Sequence, residues 1–170
     1  MRIALAAIAV AALAACQTMD EADAPRATAS LQPTKGSKTF GEATFEQVGS
    51  DRVRIVVFAQ NLKPGARHGF HIHEKGDCGA DGMNAGGHFN PAGKPHGQPG
   101  KDSHAGDLPM LEAAKNGRAK LDVTLTGLTI QPGSNSIVGR GLVIHADPDD
   151  FKTQPTGNSG LIIAPIRSPI

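Results

Sequence analysis

The chain has 170 residues, with 17 Lys and Arg against 16 Asp and Glu, and a formal net charge of +1. That length suits one domain, and the near-neutral balance gives no bulk attraction to nucleic acid or acidic partners. Trp and Tyr are absent, which leaves almost no aromatic surface for stacking on bases, and 21 Gly with 12 Pro fit many turns between short strands better than helices.

In chain order, the first element is a targeting segment. Arg2 supplies a positive charge, and Ile3 to Ala15 is an almost unbroken run of Ala, Ile, Leu and Val. The run falls short of the roughly 20 apolar residues a bilayer span needs and matches the apolar region of a secretory signal. It ends in Leu13-Ala14-Ala15-Cys16, which resembles a bacterial lipobox. The resemblance implies that residues 1–15 are removed, that Cys16 is lipidated, and that the protein sits in the periplasm or outer cell envelope on a membrane anchor. The alternative is an ordinary signal cut after an Ala-x-Ala site. Residues 16–37 are rich in Ala, Asp, Thr, Ser, Pro and Lys and read as a disordered tether, unless a strand starts early, near Ala27. A domain over 38–170 follows.

Thr39 to Val48 and Arg52 to Asn61 read as paired strands around Gly49-Ser50-Asp51. In the second run Val53, Ile55, Val57 and Ala59 alternate with Arg52, Arg54, Val56 and Phe58, the period of a half-buried strand. Gly69 to Glu74 is a further strand. Gly76 to Pro109 is rich in Gly and Pro and shows almost no strand pattern; a loop this long in a compact domain is functional or disordered, and its histidines say functional. Lys120 to Thr126 alternates, Ser136 to His145 is another strand, and Asp147 to Gly160 is a second polar loop. No long segment has helical periodicity. The reading is all-β, a Greek-key antiparallel barrel or sandwich with two long functional loops.

Six of the 7 histidines fall where ligands would be useful. His71 and His73 lie two apart on a strand, so both rings point to one face. His145 ends another strand, next to a loop. His88, His96, His104 and Asp107 all lie in the long loop, and three imidazoles with a carboxylate form a set that zinc accepts tetrahedrally. Folding the loop around an ion would supply its ordering energy.

Four blocks then match a family in order: Gly69-Phe70-His71-Ile72-His73-Glu74, Gly86-Gly87-His88-Phe89-Asn90-Pro91, His104-Ala105-Gly106-Asp107-Leu108, and Gly139-Arg140-Gly141-Leu142-Val143-Ile144-His145. From about Thr39 to Gly160 the chain resembles copper/zinc superoxide dismutase. The resemblance implies copper at His71, His73, His88 and His145, and zinc at His88, His96, His104 and Asp107, with the catalytic His88 bridging both. It implies that Asp149 links a copper histidine to a zinc histidine, that His68 is a buried histidine bonded to backbone, and that Thr156 sits on the channel lip. The implied activity is disproportionation of superoxide to O2 and hydrogen peroxide. The protein is read as a monomer or homodimer with no nucleic-acid partner.

The tail departs from the pattern. Gly157-Asn158-Ser159-Gly160 matches, but Ile162 stands where the family has its channel Arg, and Pro165 where it has a Cys. Cys78 matches the family's loop cysteine and so lacks that partner, a loss of about 2–5 kcal/mol in a small secreted domain. Pro165 and Pro169 sit badly in a closing central strand. Ile162 supports the alternative of a metal-binding protein of this fold with little turnover.

Overall fold

The structure is a computed structural model of the chain and describes residues 24–100, 102–157 and 163–165, the last three as backbone. The strands are β1 (Arg26–Leu31), β2 (Phe40–Gly49), β3 (Arg52–Gln60), β4 (Arg67–His68), β5 (Phe70–His73), β6 (Leu111–Glu112), β7 (Ala119–Thr126), β8 (Gly141–Ile144) and β9 (Ile163–Pro165). One sheet has the order β1-β2-β3-β7, a second β5-β8-β9, and β4 pairs with β6. Every pairing between strands is antiparallel. β7 returns beside β3 after the chain has crossed to the other sheet, which is a Greek-key connection. The expected targeting run and Cys16 lie outside the described residues.

The first sheet follows from period-2 patterning. In β3, Val53, Ile55, Val57 and Ala59 are buried while Arg52, Arg54 and Phe58 are exposed. In β2, Ala43, Phe45 and Gln47 face inward. The apolar ones form one core with Phe70 and Ile72 of β5 and Leu142 and Ile144 of β8, so the apolar contents of both sheets meet. Burying each large aliphatic or aromatic side chain contributes about 1.5–3 kcal/mol. On the solvent face Arg54 grips Asp122 through two bonds of 2.9 and 2.8 Å, and Arg26 reaches Glu46 at 2.9 Å. These pairs are exposed, so water and salt screen them and they add little to stability.

Three expectations need correction. The segment read as tether contains β1, whose Ala27, Ala29 and Leu31 are buried against β2 in the register Ala27↔Phe45 and Ala29↔Ala43. The strand expected from Ser136 begins only at Gly141. Ser136 makes only an isolated bridge to Thr129; Gly139 then has φ +80° and the Arg140 N–H donates to the Ile137 carbonyl at 3.1 Å, so the chain turns before it joins β5. Pro165 does not break a central strand: among the described residues β9 is the outer strand of its sheet, where a residue without an N–H is tolerated. Pro169 lies outside the described residues.

β5 positions the site. All four of its residues are buried, since alternation sends Phe70 and Ile72 into the core and leaves His71 and His73 on the other face. The long loop is ordered by pairing with this strand. Phe89 N–H donates to the Ile72 carbonyl at 2.8 Å, Ile72 N–H to Gly106 at 2.9 Å, and Gly106 N–H to Phe89 at 2.8 Å. Among its described residues the helical piece is a 3-10 turn at Ala80–Ala85, interrupted by positive φ at Asp81 and Gly82.

Candidate metal centre

The backbone bridges His73↔His88 and His71↔Asp107 carry the loop ligands to the strand ligands. Gly106 makes this approach possible. A Cβ on it would lie 2.2 Å from the Ile72 carbonyl oxygen and 2.9 Å from the Phe89 nitrogen, closer than atoms can pack. His145 arrives at the end of β8 and is fixed by its N–H to the Gly69 carbonyl at 2.8 Å.

Two donor sets result. His71, His73, His88 and His145 bring one ring nitrogen each within 4.8 Å of one another; His88, His96 and His104 do so with a carboxylate oxygen of Asp107, and all seven residues are buried. His88 belongs to both sets. In the first set, His71 Nδ1, His73 Nε2 and His88 Nε2 have no hydrogen-bond partner among the described residues. Buried orphan nitrogens cost free energy unless something accepts their lone pairs, and a metal does. In the second set, Asp107 Oδ1 lies 2.8 Å from His88 Nδ1, 2.9 Å from His96 Nδ1 and 3.5 Å from His104 Nδ1. A tetrahedral ion with bonds near 2.0 Å spaces its ligands by about 3.3 Å, so this set has the right dimensions for one.

The outer bonds fix which nitrogen faces inward. The His73 Nδ1–H donates to the Gly86 carbonyl at 2.9 Å, leaving the lone pair on Nε2. His71 Nε2 meets Asp149 Oδ2 at 2.6 Å, leaving Nδ1 for an ion. Asp149 Oδ1 lies 3.0 Å from His96 Nε2, so one carboxylate ties the two sets together. His68 Nδ1–H donates to the His145 carbonyl at 2.8 Å, and His68 is buried.

Burial dominates the electrostatics. It lowers His71 to about 4, against the raising effect of the Asp149 hydrogen bond, and His73 to about 3, against the Gly86 carbonyl. Both rings are therefore neutral near pH 7, the state a metal requires. Burial also lowers His104. In His96 burial is outweighed by the Asp149 and Asp107 carboxylates, and the net shift is upward. Burial would raise Asp107 and Asp149, but hydrogen bonds from His88 and His71 respectively lead the effects that hold both carboxyls below their ordinary range.

Thr156 is half-buried in the loop after His145, beside Gly157. A Cβ on Gly157 would lie 2.7 Å from Asp149 Oδ1, so this glycine (φ +69°) lets the loop close over the carboxylate. Cys78 is exposed. Ile162 lies outside the described residues. Sequence reasoning missed Gln154, whose side chain bonds the His96 main chain from 58 positions away. No local pattern announces such a contact.

A family model described as copper/zinc superoxide dismutase matches residues 39–165. Among solved structures, that of the clock protein EA4 is similar with a TM-score of 0.77 and 32% sequence identity, covering 86% of this chain and 96% of that one.

Proposed function

The chain belongs to the copper/zinc superoxide dismutase family, and on that premise we propose that it disproportionates superoxide to O2 and hydrogen peroxide. The observation that carries this reading is the pair of buried donor sets sharing His88. The all-imidazole set His71, His73, His88 and His145 suits copper, and the set His88, His96, His104 and Asp107 suits zinc. Bound there, copper would supply one-electron redox chemistry, while zinc, which has none, would shape the loop.

The protein's own part is to place and hold protons. His88 can take a proton at Nε2 while Nδ1 stays with Asp107 and the zinc set. Its position between the two sets makes it the group to deliver a proton to the reduced product. Asp149 and the Gly86 carbonyl hold His71 and His73 in the tautomers that face inward. The β5 register keeps both rings under the loop and out of bulk water.

Ile162 favours a second reading, a copper- and zinc-binding protein with low turnover, because an aliphatic side chain gives a small anion nothing to steer toward. The discriminating experiment is dismutation by protein reconstituted with copper and zinc, expressed per copper bound. Turnover supports the enzyme; full copper occupancy without turnover leaves the binding protein. We further propose that Cys16 carries lipid and anchors the protein in the cell envelope. Labelling with a radioactive fatty acid should mark the natural chain and not Cys16→Ser.

A further inference from the structure

We propose that Gln154 is the positioning residue that sets the main chain of the zinc ligand His96. This rests on the reading of His88, His96, His104 and Asp107 as the zinc set.

His96 lies in Lys94-Pro95-His96-Gly97-Gln98-Pro99-Gly100, a stretch with two prolines, two glycines and no strand. Among the described residues, neither His96 nor its two chain neighbours makes a backbone–backbone hydrogen bond. A side chain does that work. The His96 N–H donates to Gln154 Oε1 at 2.9 Å, and Gln154 Nε2 donates to the His96 carbonyl at 2.9 Å. The amide thus docks on His96 as the peptide of a neighbouring strand would. Its second N–H goes to the Lys152 carbonyl at 3.2 Å, so the end of the amide beside two carbonyl oxygens must be the nitrogen.

The ring of His96 has two demands. Nδ1 lies 2.9 Å from Asp107 Oδ1, and Nε2 lies 3.0 Å from Asp149 Oδ1. Carboxylates can orient the ring only if its Cα is already in place; the Gly97 N–H, donating to Asp107 Oδ2 at 3.0 Å, ties down the peptide that follows, and Gln154 holds the N–H and carbonyl of His96 itself. Supporting groups of this kind keep a metal ligand within roughly 0.5 Å of productive geometry, and their loss costs about 10–100-fold in metal affinity.

The test uses full-length protein loaded with copper and zinc, and a cobalt(II)-for-zinc form. Gln154→Met keeps the length of the side chain and removes both bonds. Gln154→Glu keeps an acceptor for the His96 N–H and sets a carboxylate oxygen against the His96 and Lys152 carbonyls. Both variants should release zinc to a chromogenic chelator about tenfold faster or more, and should shift the visible cobalt bands, with copper content unchanged. Lys152→Ala, on the same loop, should release zinc as the natural protein does. Zinc release within twofold of the natural protein, with the same cobalt spectrum, overturns the proposal in whichever variant folds. Failure of the natural protein to hold zinc or cobalt overturns the zinc reading itself, and this inference with it.

Discussion

Asp149 Oδ2 lies 2.6 Å from His71 Nε2, with neither side chain exposed to solvent. Through its other oxygen, 3.0 Å from His96 Nε2, the same carboxylate reaches the second donor set. The two sets are therefore coupled through a charge as well as through the shared ring of His88. Phe151 N–H also donates to Asp149 Oδ1 at 2.8 Å, so the loop backbone fixes the carboxylate.

Replacing Asp149 with Asn leaves one acceptor oxygen for two ring N–H groups, so one ring nitrogen faces an NH2 that also donates, and the charge shared by both sets is lost. The Phe151 N–H favours the oxygen on the His96 side, so the donor clash falls on His71, and the carboxylate link between the two sets is broken. Zinc affinity should fall about 10–100-fold, measured by competition with a chelator of known strength, and the copper set, whose His71 tautomer Asp149 also holds, should weaken with it. Unchanged zinc affinity would show that the link does not support the zinc set.

Gly106→Ala should be strongly destabilising for a reason local to the centre. Its Cβ would collide with the Ile72 carbonyl at 2.2 Å, and that contact is part of the pairing that holds the loop on β5. Overpacking of a rigid backbone contact costs about 1–3 kcal/mol or more. Urea unfolding should show a loss in that range, together with reduced occupancy at both metal positions. A fully stable, fully loaded variant would contradict the close approach.

Acid should destabilise the metal-free protein through its buried histidines. In the unfolded chain these rings bind protons near 6.5, but the folded protein holds His71 at about 4 and His73 at about 3. Between those limits the unfolded state carries more protons, so stability present above pH 6.5 is lost as pH falls toward 4. With both rings contributing, the slope near pH 5 reaches about 2.7 kcal/mol per pH unit. Urea titrations of metal-free protein at pH 6 and pH 5 measure it, and a flat profile would contradict the burial of these rings.

Ile162→Arg should speed capture of superoxide. The resemblance implies that Ile162 stands where the family has its channel Arg, and a cation in such a channel raises association by about 10–10³-fold, a gain that declines with added salt. Pulse radiolysis at two ionic strengths reads both effects. An Arg variant with the natural rate and no new salt dependence would separate this position from the channel.

Much of the site was legible because short-range geometry dictates it. His71-Ile72-His73 on a strand must place two rings on one face, whatever surrounds it. The alternation of Val53, Ile55, Val57 and Ala59 likewise predicts an inward face, and those residues are buried. β1 was harder to read. Its buried residues are Ala27, Ala29 and Leu31, and alanine carries too little apolar area to stand out among Arg26, Thr28 and Ser30. Only the presence of β2 alongside turns that faint alternation into a strand.

The amino-acid order by itself determined the all-β class and the residues able to hold two metals, because both depend on residue type and on spacings within a strand or loop. The tertiary structure decided the rest. It brought Asp149 to His71 across 78 positions and Gln154 to His96 across 58, and it passed the loop over Gly106. Contacts of that range have no period in the sequence. They exist only once two sheets have closed on a common core and left their connecting loops no other place to make their hydrogen bonds.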